Sequence, residues 1–542
     1  MSDHYQVDVA VIGSGGAGLS AALAASTNGS RVVVLEKSEL LGGTTALSGG
    51  GVWVPCHHYQ ESIGVQDSRE EALAYLRAVG PEGWHNVEDP LWVSFVDHAP
   101  EMLRFLEQNS PLKFAPSREP DPYAEAPGGK VFGRQISPRP LSVFILGTLR
   151  HKLRGPQYTP WLNYEEVLDT GLYVMPKRWL LRFAPRLLYR MLTNKRVMGN
   201  ALVVGLLKGC VDKGCELWTE ARAEKLIKSN GRITGVQVRR GEQLVEIETR
   251  KGVVLASGGF EWNEKMMAEH FTNYPLEWRG SPSTNTGDGH RMALEVGAKL
   301  DRMDQVLIYG TVPQMYEGRV RGVPVGDYNL PHAMIVGWHG RRFMNEKQNN
   351  SGLPFLERDP DTGEPAHLPA WRIYDAQFAA KYAHALPKGS LEGRLYKDNT
   401  LAGLAGQIGL DPDTLVETAK RMSDFARNGV DEDFGRGNTI WDLNRKVDPR
   451  VSPNPALGTI EAPPFYAFPF KPSILGTKGG PRTNAKGQVV NEDSEVIPGL
   501  YAAGNVMANP FGTKGVGGGT TLGPVLTWGY ICGLNVHWEA DP

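Results

Sequence analysis

The sequence has little of several features that define other classes of protein. It contains only four cysteines, which form no C-x-x-C pair and no zinc-ligand spacing with histidine. Its formal net charge of -2 over 542 residues gives no reason to expect nucleic acid as a partner. No apolar run reaches the roughly 18 residues that span a membrane, and there is no internal repeat. We therefore predict no disulfide framework, no metal site, no nucleic-acid partner and no membrane-spanning helix, and we expect a cytoplasmic protein.

Glycine is abundant. The 64 glycines fall in clusters, and 38 prolines accompany them. Clustered glycines are typical of tight turns and of loops that approach a ligand closely. A chain of 542 residues also exceeds the size at which one hydrophobic core usually keeps growing, so we expect two domains.

The clearest pattern opens the chain. Its order is an apolar strand at residues 7–12, a glycine turn, a helix-forming run at 19–25, a second strand at 31–35 and Glu36. In the turn, Gly13 permits the tight bend, Gly15 lets a pyrophosphate reach the backbone, and Gly18 lets the helix pack on the sheet. This order predicts a dinucleotide site of Rossmann type.

The helix that follows the turn has its own role in this site. Its first residues, Gly16 and Ala17, would present free N–H groups and the positive end of the helix dipole to phosphate. Glu36, at the end of the second strand, would accept hydrogen bonds from the adenosine ribose. A glycine turn that binds nothing is the alternative, but it does not explain why all these parts occur in order.

A second loop distinguishes FAD from NAD. Residues 37–51 are rich in glycine, threonine and serine, where an NAD domain would normally continue into a helix. The segment resembles the flavoprotein family of succinate dehydrogenase, fumarate reductase and 3-ketosteroid dehydrogenases. Some members bind flavin covalently through a histidine in this loop. Thr44 and Thr45 stand at that point here, so the resemblance implies non-covalent FAD.

The resemblance implies further cofactor contacts along the chain. In the loop at residues 37–51 these are Lys37, Gly43, Thr44, Thr45, Ser48, Gly49 and Gly50. Later contacts are Ala223, Ser257, Gly258, Asp288, Gly504, Asn505, Gly519, Thr521 and Leu522. Asp288, in a T-G-D-G segment, has the equally good interpretation of a helix-capping residue.

We predict an α/β protein, with a Rossmann-type FAD-binding domain and an inserted α+β catalytic or cap domain. The FAD-binding domain would comprise residues 1–280, with a helical insertion at about 60–200, and residues 460–542. The cap domain would comprise residues 281–459. Such a discontinuous arrangement places a substrate site at the domain interface.

Several segments resemble the 3-ketosteroid Δ1-dehydrogenase branch more than the dicarboxylate reductases. They are residues 124–129, 331–336, 433–437, 476–480 and 521–524. The dicarboxylate branch carries an arginine shortly before the strand that here covers residues 333–336. This sequence has Asn329-Leu330-Pro331-His332 there. Fumarate or succinate chemistry is therefore not expected.

The resemblance assigns catalytic roles in part. In the family a tyrosine and a glycine N–H hold the substrate carbonyl, and another tyrosine helps to take the α proton. Tyr123 matches as base or relay, and Gly519 matches the glycine. The carbonyl-binding tyrosine falls at Gly515 and a further one near Asn350, so both are absent. Lys514, Tyr309 and Tyr530 are the candidates to replace them, each with a plain structural interpretation as well.

The predicted function is the desaturation of a cyclic ketone at the carbons α and β to its carbonyl. A 3-ketosteroid is the first substrate hypothesis, and a smaller oxocyclohexane-type ketone or keto acid is the second. An enone or unsaturated-acid reductase of the fumarate reductase type is the alternative, and a flavin-binding scaffold without activity is a third. The electron acceptor would be a quinone, an electron-transfer protein or oxygen. Aromatic residues that could line the pocket are Trp53, Phe132, Phe511 and Trp528.

One basic segment stands apart. Residues 177–190 carry arginines at four-residue spacing and no acids, with tryptophan, leucine and phenylalanine beside them. Two interpretations remain open, a peripheral membrane contact and a solvated helix face. Pro185 is expected to interrupt the helix, which favours the second.

Overall fold

The computed structural model describes residues 4–157, 161–271, 277–324, 329–382 and 394–539. Its helices are α1 (Gly16–Thr27), α2 (Arg69–Val79), α3 (His85–Asn109), α4 (Tyr164–Leu168), α5 (Thr170–Val174), α6 (Pro176–Leu192), α7 (Met198–Asp212), α8 (Glu264–His270), α9 (Asp288–Glu295), α10 (Ala376–Tyr382), α11 (Leu401–Ile408), α12 (Pro412–Asn428), α13 (Ile440–Asn444) and α14 (Leu522–His537). Short 3-10 helices cover Gly43–Leu47, Glu61–Ile63, Val143–Lys152, Leu353–Leu356 and Gly504–Val506.

The strands fall into two regions of the chain. Those before residue 260 are β1 (His4–Ile12), β2 (Val32–Leu35), β3 (Val52–Trp53), β4 (Phe114–Pro116), β5 (Gln135–Pro138), β6 (Leu141–Ser142), β7 (Lys195–Arg196), β8 (Glu216–Trp218), β9 (Ala221–Ser229), β10 (Arg232–Arg240) and β11 (Gln243–Leu255). The later ones are β12 (Trp278–Arg279), β13 (Leu300–Asp301), β14 (Val306–Tyr316), β15 (Arg319–Val323), β16 (Ala333–Val336), β17 (Trp371–Tyr374), β18 (Tyr396–Asp398), β19 (Phe465–Pro469), β20 (Lys471–Thr477), β21 (Gly480–Pro481), β22 (Gln488–Val490) and β23 (Val496–Ala502).

The central sheet has the order β22-β23-β11-β1-β2-β8, with β10 and β9 continuing from β11. Strands β23, β11, β1, β2 and β8 run parallel, and their buried Val, Ile and Leu side chains explain why they lie inside a layered α/β domain. Strand β11 is long and continuous from Gln243 to Leu255, and it pairs with both β1 and β10. Gly252, at φ +156, allows the backbone to pass close to Gly499.

Helices α1 and α14 cover the sheet and explain how the end of the chain returns to its beginning. Gly529 and Gly533 of α14 lie where a Cβ would overlap the carbonyls of Ala17 and Ala21, so glycine permits the close approach. The Ser20 hydroxyl donates to the Leu526 carbonyl at 2.8 Å. This contact brings the glycine-rich turn before α14 next to the loop that follows β2.

The cap domain contains the sheets β12-β20-β14-β15 and β16-β17-β19-β18. A separate cluster of apolar residues from α11, α12 and the second sheet forms its core. Strands β19 and β20, within residues 460–542, pair with β17 and β14 of these sheets. The pairing of β20 with β14 extends to Thr477, which lies opposite Val306.

Helix α6 is continuous from Pro176 to Leu192 through Pro185. The prediction that Pro185 interrupts the helix is therefore wrong. One side of the helix is buried. On this side Trp179 stacks on Phe183 at 4.5 Å, and Arg190 pairs with Glu166 of α4 at 2.6 Å. These contacts leave the proline on the exposed side.

Candidate active site and cofactor cleft

A cavity of about 790 Å³ runs between the FAD-binding domain and the cap domain. Its wall includes nearly every residue that the sequence singled out for the cofactor: Gly13, Gly15, Gly16, Ala17, Glu36, Lys37, Gly43, Thr44, Thr45, Ser48, Gly49, Gly50, Ala223, Ser257, Gly258, Asp288, Gly504, Asn505, Gly519, Thr521 and Leu522. Of the cofactor set, Gly18 does not line the wall. A Cβ on Gly18 would overlap the carbonyl of Gly13, so its role is the packing of α1 on the turn.

One end of the cavity, where the sequence predicts the nucleotide, is formed where β1 and β2 end. Gly13 has φ +110, and a Cβ there would overlap Ala256, so this bend requires glycine. The Glu36 carboxylate accepts hydrogen bonds from the Ser14 N–H at 3.2 Å and from the Ser14 hydroxyl at 2.6 Å. A further bond from the Ser38 N–H, at 2.9 Å, fixes the carboxylate at the wall.

Asp288 begins α9 and lies between two cations. Its carboxylate pairs with Lys37 at 2.6 Å and with Arg222 at 2.9 Å. Burial alone would raise the pKa of Asp288, but these two cations outweigh it and hold the pKa below its usual value. The Lys37 ammonium also donates to the Thr286 hydroxyl at 2.7 Å. The ion pair of Asp288 with Lys37 thus joins α9 to the loop after β2, beside the cavity.

The loop after β2 is fixed to the start of α1. The Thr45 hydroxyl accepts a hydrogen bond from the Gly16 N–H at 2.9 Å, and the Thr44 hydroxyl accepts one from the Asn285 amide at 3.1 Å. Gly50, at φ +72, lies where a Cβ would overlap the Met198 backbone. The loop, which contains the 3-10 helix Gly43–Leu47, is therefore fixed along the cavity wall, and at Gly50 a side chain would block its close approach to Met198.

The turn before α14 forms the opposite flank. A Cβ on Gly519, at φ +88, would come within 2.6 Å of the Gly51 carbonyl group. No hydrogen bond from the Gly518 or Gly519 N–H to an acceptor is found within the described residues. Two free backbone donors therefore lie in the turn before α14, on the cavity wall, where they favour negative charge.

Buried polar atoms on the wall test whether the residues fit a bound dinucleotide. The Ser257 hydroxyl oxygen and the Asn505 amide oxygen are buried and make no hydrogen bond within the described chain. Both line the cavity near glycines that leave the backbone accessible. Since buried polar groups are normally paired, these atoms are consistent with a ligand as their partner, and the residues present fit FAD.

The predicted catalytic residues are brought together in part. Lys514, Tyr309 and Gly519 line the cavity. The Lys514 ammonium lies 5.0 Å from the centre of the Tyr123 ring, but Tyr123 is not on the wall, and its burial raises its pKa. Tyr530 packs against Phe105 in the core, which removes it as a candidate.

The four aromatic residues proposed for the pocket do not line it. Trp53, Phe511 and Trp528 are core residues, while Phe132 lies elsewhere. Residues that the sequence argument missed are on the wall instead, and the main ones are Glu119, Tyr164, Arg445, Lys446 and Lys478. Only Lys478 lay in a motif that the sequence had singled out; the others carry no local signal.

Three of the missed residues are in contact with one another. The Tyr164 hydroxyl donates to Glu119 Oε2 at 3.0 Å, and Arg445 Nε lies 2.6 Å from Glu119 Oε1. Burial raises the pKa of Tyr164 and the Glu119 charge raises it further, while Arg445 opposes both. Lys478 is fully buried, which lowers its pKa to about 8, and it donates to the Gly512 carbonyl at 2.7 Å.

The parallel sheet, the glycine turn on α1 and the second loop define a flavoprotein of the dinucleotide-binding kind. The family model described as FAD binding domain matches residues 8–522, and the chain belongs to this family. It is an FAD-dependent oxidoreductase, as the sequence predicted.

The relatives include dehydrogenases of cyclic ketones by name. The chain is 36% identical to the 3-oxosteroid 1-dehydrogenase of Mycobacterium tuberculosis, over 99% of each chain. It is 34% identical to the 4-oxocyclohexanecarboxylate 2-dehydrogenase of Sinomonas cyclohexanicum, over 98% of this chain and 93% of that one. The structure of the 3-ketosteroid Δ1-dehydrogenase from Sterolibacterium denitrificans matches with a TM-score of 0.90 and 31% identity, over 98% of this chain and 99% of that one.

These similarities confirm the predicted branch and the predicted fold, and they favour a dehydrogenase over the fumarate reductase alternative. Among the described residues, no helix is both long and apolar enough to cross a membrane. The individual cofactor and catalytic roles remain predictions.

Proposed function

We propose that this dehydrogenase introduces a C=C bond α,β to the carbonyl of a cyclic ketone. The observation that carries the proposal is the meeting of two free backbone donors and one ammonium group on one wall. The N–H groups of Gly518 and Gly519 have no acceptor within the described residues, and Lys514 lies a few residues before them on the cavity wall. Such a wall favours an oxygen that gains negative charge.

The carbonyl side of the reaction would be served by Gly519 and Lys514. An α C–H is a weak acid until its carbonyl oxygen is stabilised, and preorganised donors supply that stabilisation where the charge develops. The Gly519 N–H and the Lys514 ammonium would both donate to this oxygen. FAD, when bound non-covalently in the cleft, supplies the chemistry that accepts the β hydrogen with its electron pair.

Tyr123 and Tyr309 have different places in this arrangement. We propose that Tyr123 acts from behind Lys514, as a relay or support, since its ring lies against the ammonium and not on the wall. Tyr309, on β14, would contact the substrate from the cap side. Tyr123→Phe is expected to lower turnover at least about tenfold with FAD still bound; unchanged turnover would limit Tyr123 to packing.

Apolar side chains from around α4 and α5 and from the cap strands β14 and β15 line part of the cavity. The apolar lining residues there are Leu162, Val167, Leu168, Leu172, Leu307 and Val323. A hydrocarbon ring system would bury its surface against such a wall. The named substrates of two relatives, a 3-oxosteroid and an oxocyclohexane carboxylate, both carry a ring ketone. We keep a 3-ketosteroid as the first hypothesis and the smaller keto acid as the second.

Anaerobic stopped-flow absorbance tests this function on the purified holoenzyme. A saturated 3-ketosteroid or 4-oxocyclohexanecarboxylate should bleach the flavin absorbance, and the faster of the two identifies the preferred ring size. Reoxidation of prereduced enzyme by an enone, without bleaching by any saturated ketone, would instead support the reductase. If neither bleaching nor reoxidation of the flavin occurred, the protein would be a flavin-binding scaffold without activity.

Helix α6 presents a surface that we propose to contact an anionic membrane. Leu181 and Leu192 are 80% and 74% exposed, and Arg178 and Arg182 are exposed beside them, with no acid anywhere in the helix. Exposed leucines with a basic face are typical of helices that lie in a lipid interface. Through the pair of Arg190 and Glu166, α6 is held against α4, whose residues line the cavity.

A membrane position would bring apolar substrate to the cavity and a quinone within reach, so a quinone is the electron acceptor that we favour over an electron-transfer protein or oxygen.

Sedimentation with vesicles tests the contact of α6 with the membrane. The protein should bind phosphatidylserine-containing vesicles and not pure phosphatidylcholine. The variant with Leu181→Ser and Leu192→Ser should lose binding, while Leu294→Ser, at an exposed leucine of α9, should keep it. Failure of the unaltered protein to bind would end the proposal.

A further inference from the structure

The described part of the cavity wall contains a second set of proton-handling groups, which makes no hydrogen bond or ion pair with Lys514. Glu119 comes from the segment between β4 and β5, Tyr164 opens α4, and Arg445 follows α13 in the cap domain. The two domains thus assemble the set between them. Trp441 packs on the Arg445 guanidinium at 4.2 Å, which fixes its position on the cap side.

The position of this set relative to the flavin loops is defined by two glycines. A Cβ on Gly49 would come within 3.2 Å of the Tyr164 ring, and a Cβ on Gly518 would come within 2.8 Å of Glu119 Oε2. Gly49 lies in the loop after β2, and Gly518 neighbours the residue proposed to hold the carbonyl. The Tyr164–Glu119 contact therefore lies between the two loops that flank the flavin site.

The direction of the hydrogen bond limits what Tyr164 can do. A phenol has one proton, and that proton is donated to Glu119 Oε2 at 3.0 Å. Tyr164 therefore cannot donate to a substrate carbonyl at the same time, but its oxygen can accept a hydrogen. Because burial and the Glu119 charge both raise the pKa of Tyr164, it would not act as a phenolate either. Tyr164 can therefore accept a proton only if its own hydroxyl proton is transferred to Glu119.

We propose that Tyr164 takes the α proton of the ketone while its own proton passes to Glu119. The proposal rests on the desaturase function. The electron pair of the α C–H bond becomes the new π bond, and FAD held in the cleft would accept the hydride that leaves the β carbon. Tyr164 ends neutral, and Glu119 ends protonated. Tyr164 is thus a catalytic residue, while Glu119 and Arg445 are positioning residues that receive the proton and hold the acceptor in place.

Exchange of the α hydrogen measures this step without net oxidation. Holoenzyme whose flavin has been reduced beforehand cannot accept a hydride, so any exchange of the ketone in D2O reports proton transfer alone. Mass spectrometry of the recovered ketone gives the rate. Tyr164→Phe should slow exchange at least about 100-fold, within the range that general base catalysis contributes. Tyr530→Phe, a tyrosine in the core of the same domain, is the matched control and should exchange normally.

Glu119 is tested with two variants. Glu119→Gln keeps an acceptor for the Tyr164 hydroxyl but removes the basic carboxylate, so exchange should fall about as far as in Tyr164→Phe. Glu119→Asp should restore part of the rate, which a purely structural role would not predict. Glu165→Gln, which changes a neighbouring carboxylate bonded to Ser137, should leave exchange unchanged.

The outcomes separate this proposal from the function on which it rests. If no ketone bleaches the unaltered enzyme, the proposed function fails. If the ketone bleaches it, yet Tyr164→Phe exchanges the α hydrogen within about threefold of the unaltered rate, the relay is wrong and the function stands. Should Tyr164→Phe lose its yellow cofactor, Glu119→Gln decides in its place: unchanged exchange overturns the relay, and loss with partial rescue by Glu119→Asp supports it.

Discussion

Replacing Lys514 by methionine tests the carbonyl side of the mechanism most directly. Methionine keeps an unbranched apolar stem and removes only the charge and the donor. Within the described residues the Lys514 ammonium makes no hydrogen bond or ion pair, and its contact is the Tyr123 ring at 5.0 Å. The substitution therefore leaves no buried carboxylate unpaired, and the holoenzyme should fold and bind FAD as before.

The expected loss follows from the kind of bond removed. A hydrogen bond from a charged donor contributes about 1.5–3 kcal/mol, and each 1.4 kcal/mol is a factor of about ten. Loss of the Lys514 donor should therefore slow the chemical step by about 10- to 150-fold. Because the oxygen gains its charge only as the α proton leaves, the loss should fall on the rate at saturation and not on ketone affinity.

Anaerobic stopped-flow separates these quantities. The limiting rate of flavin bleaching at high ketone gives the chemical step, and its concentration dependence gives the affinity. Lys486→Met, an exposed lysine outside the cavity, is the control and should match the unaltered protein. If Lys514→Met kept the limiting rate and only bound ketone more weakly, the reasoning would be refuted, since Lys514 would then bind the ground state as well as the transition state.

Other substitutions test the surroundings of the site. Gly519→Ala should lower the flavin content of the purified protein, because its Cβ would lie within 2.6 Å of the Gly51 carbonyl at φ +88; full flavin content would contradict this. Glu36→Ala should weaken FAD binding, measured by fluorescence titration of apoprotein. Burial raises the pKa of Asp121 to about 6, opposed by Arg134, so its stabilising contribution is present below about pH 4 and is lost as pH rises through about 6. Asp121→Asn should therefore gain in Tm relative to the unaltered protein between pH 5 and 7.5; parallel Tm curves would exclude that effect.

The cofactor half of the site could be read from the sequence because its signals are local. Gly13, Gly15 and Glu36 belong to one strand-turn-helix-strand unit, in which positions along the chain determine positions in the folded structure. The same holds for the loop with Thr44 and Thr45. All of these residues line the cavity in the structure. Their contacts with FAD are still predictions, but their position on one wall follows from their spacing within one local unit.

The substrate half could not be read in this way. Glu119, Tyr164 and Arg445 come from separate elements of two domains, and nothing near any of them in sequence marks it as a partner of the others. The pairing of β20 with β14 is hidden from the sequence for a related reason, since it joins segments far apart in the chain and local composition does not indicate it. Pro185 was misjudged because tertiary contacts of α6 outweigh the cost of a proline in a helix.

The absence of two family tyrosines, at Gly515 and Asn350, need not remove the chemistry if charge is distributed differently. Burial raises the pKa of both Tyr123 and Tyr164, so neither is suited to carry a negative charge. In the proposed arrangement neither has to. As Tyr164 takes the α proton, Glu119 receives the proton of Tyr164 and becomes neutral, and negative charge appears on the carbonyl oxygen beside the Lys514 ammonium. A proton moves within the cavity while its net charge stays constant, which is the least costly course in an apolar enclosure.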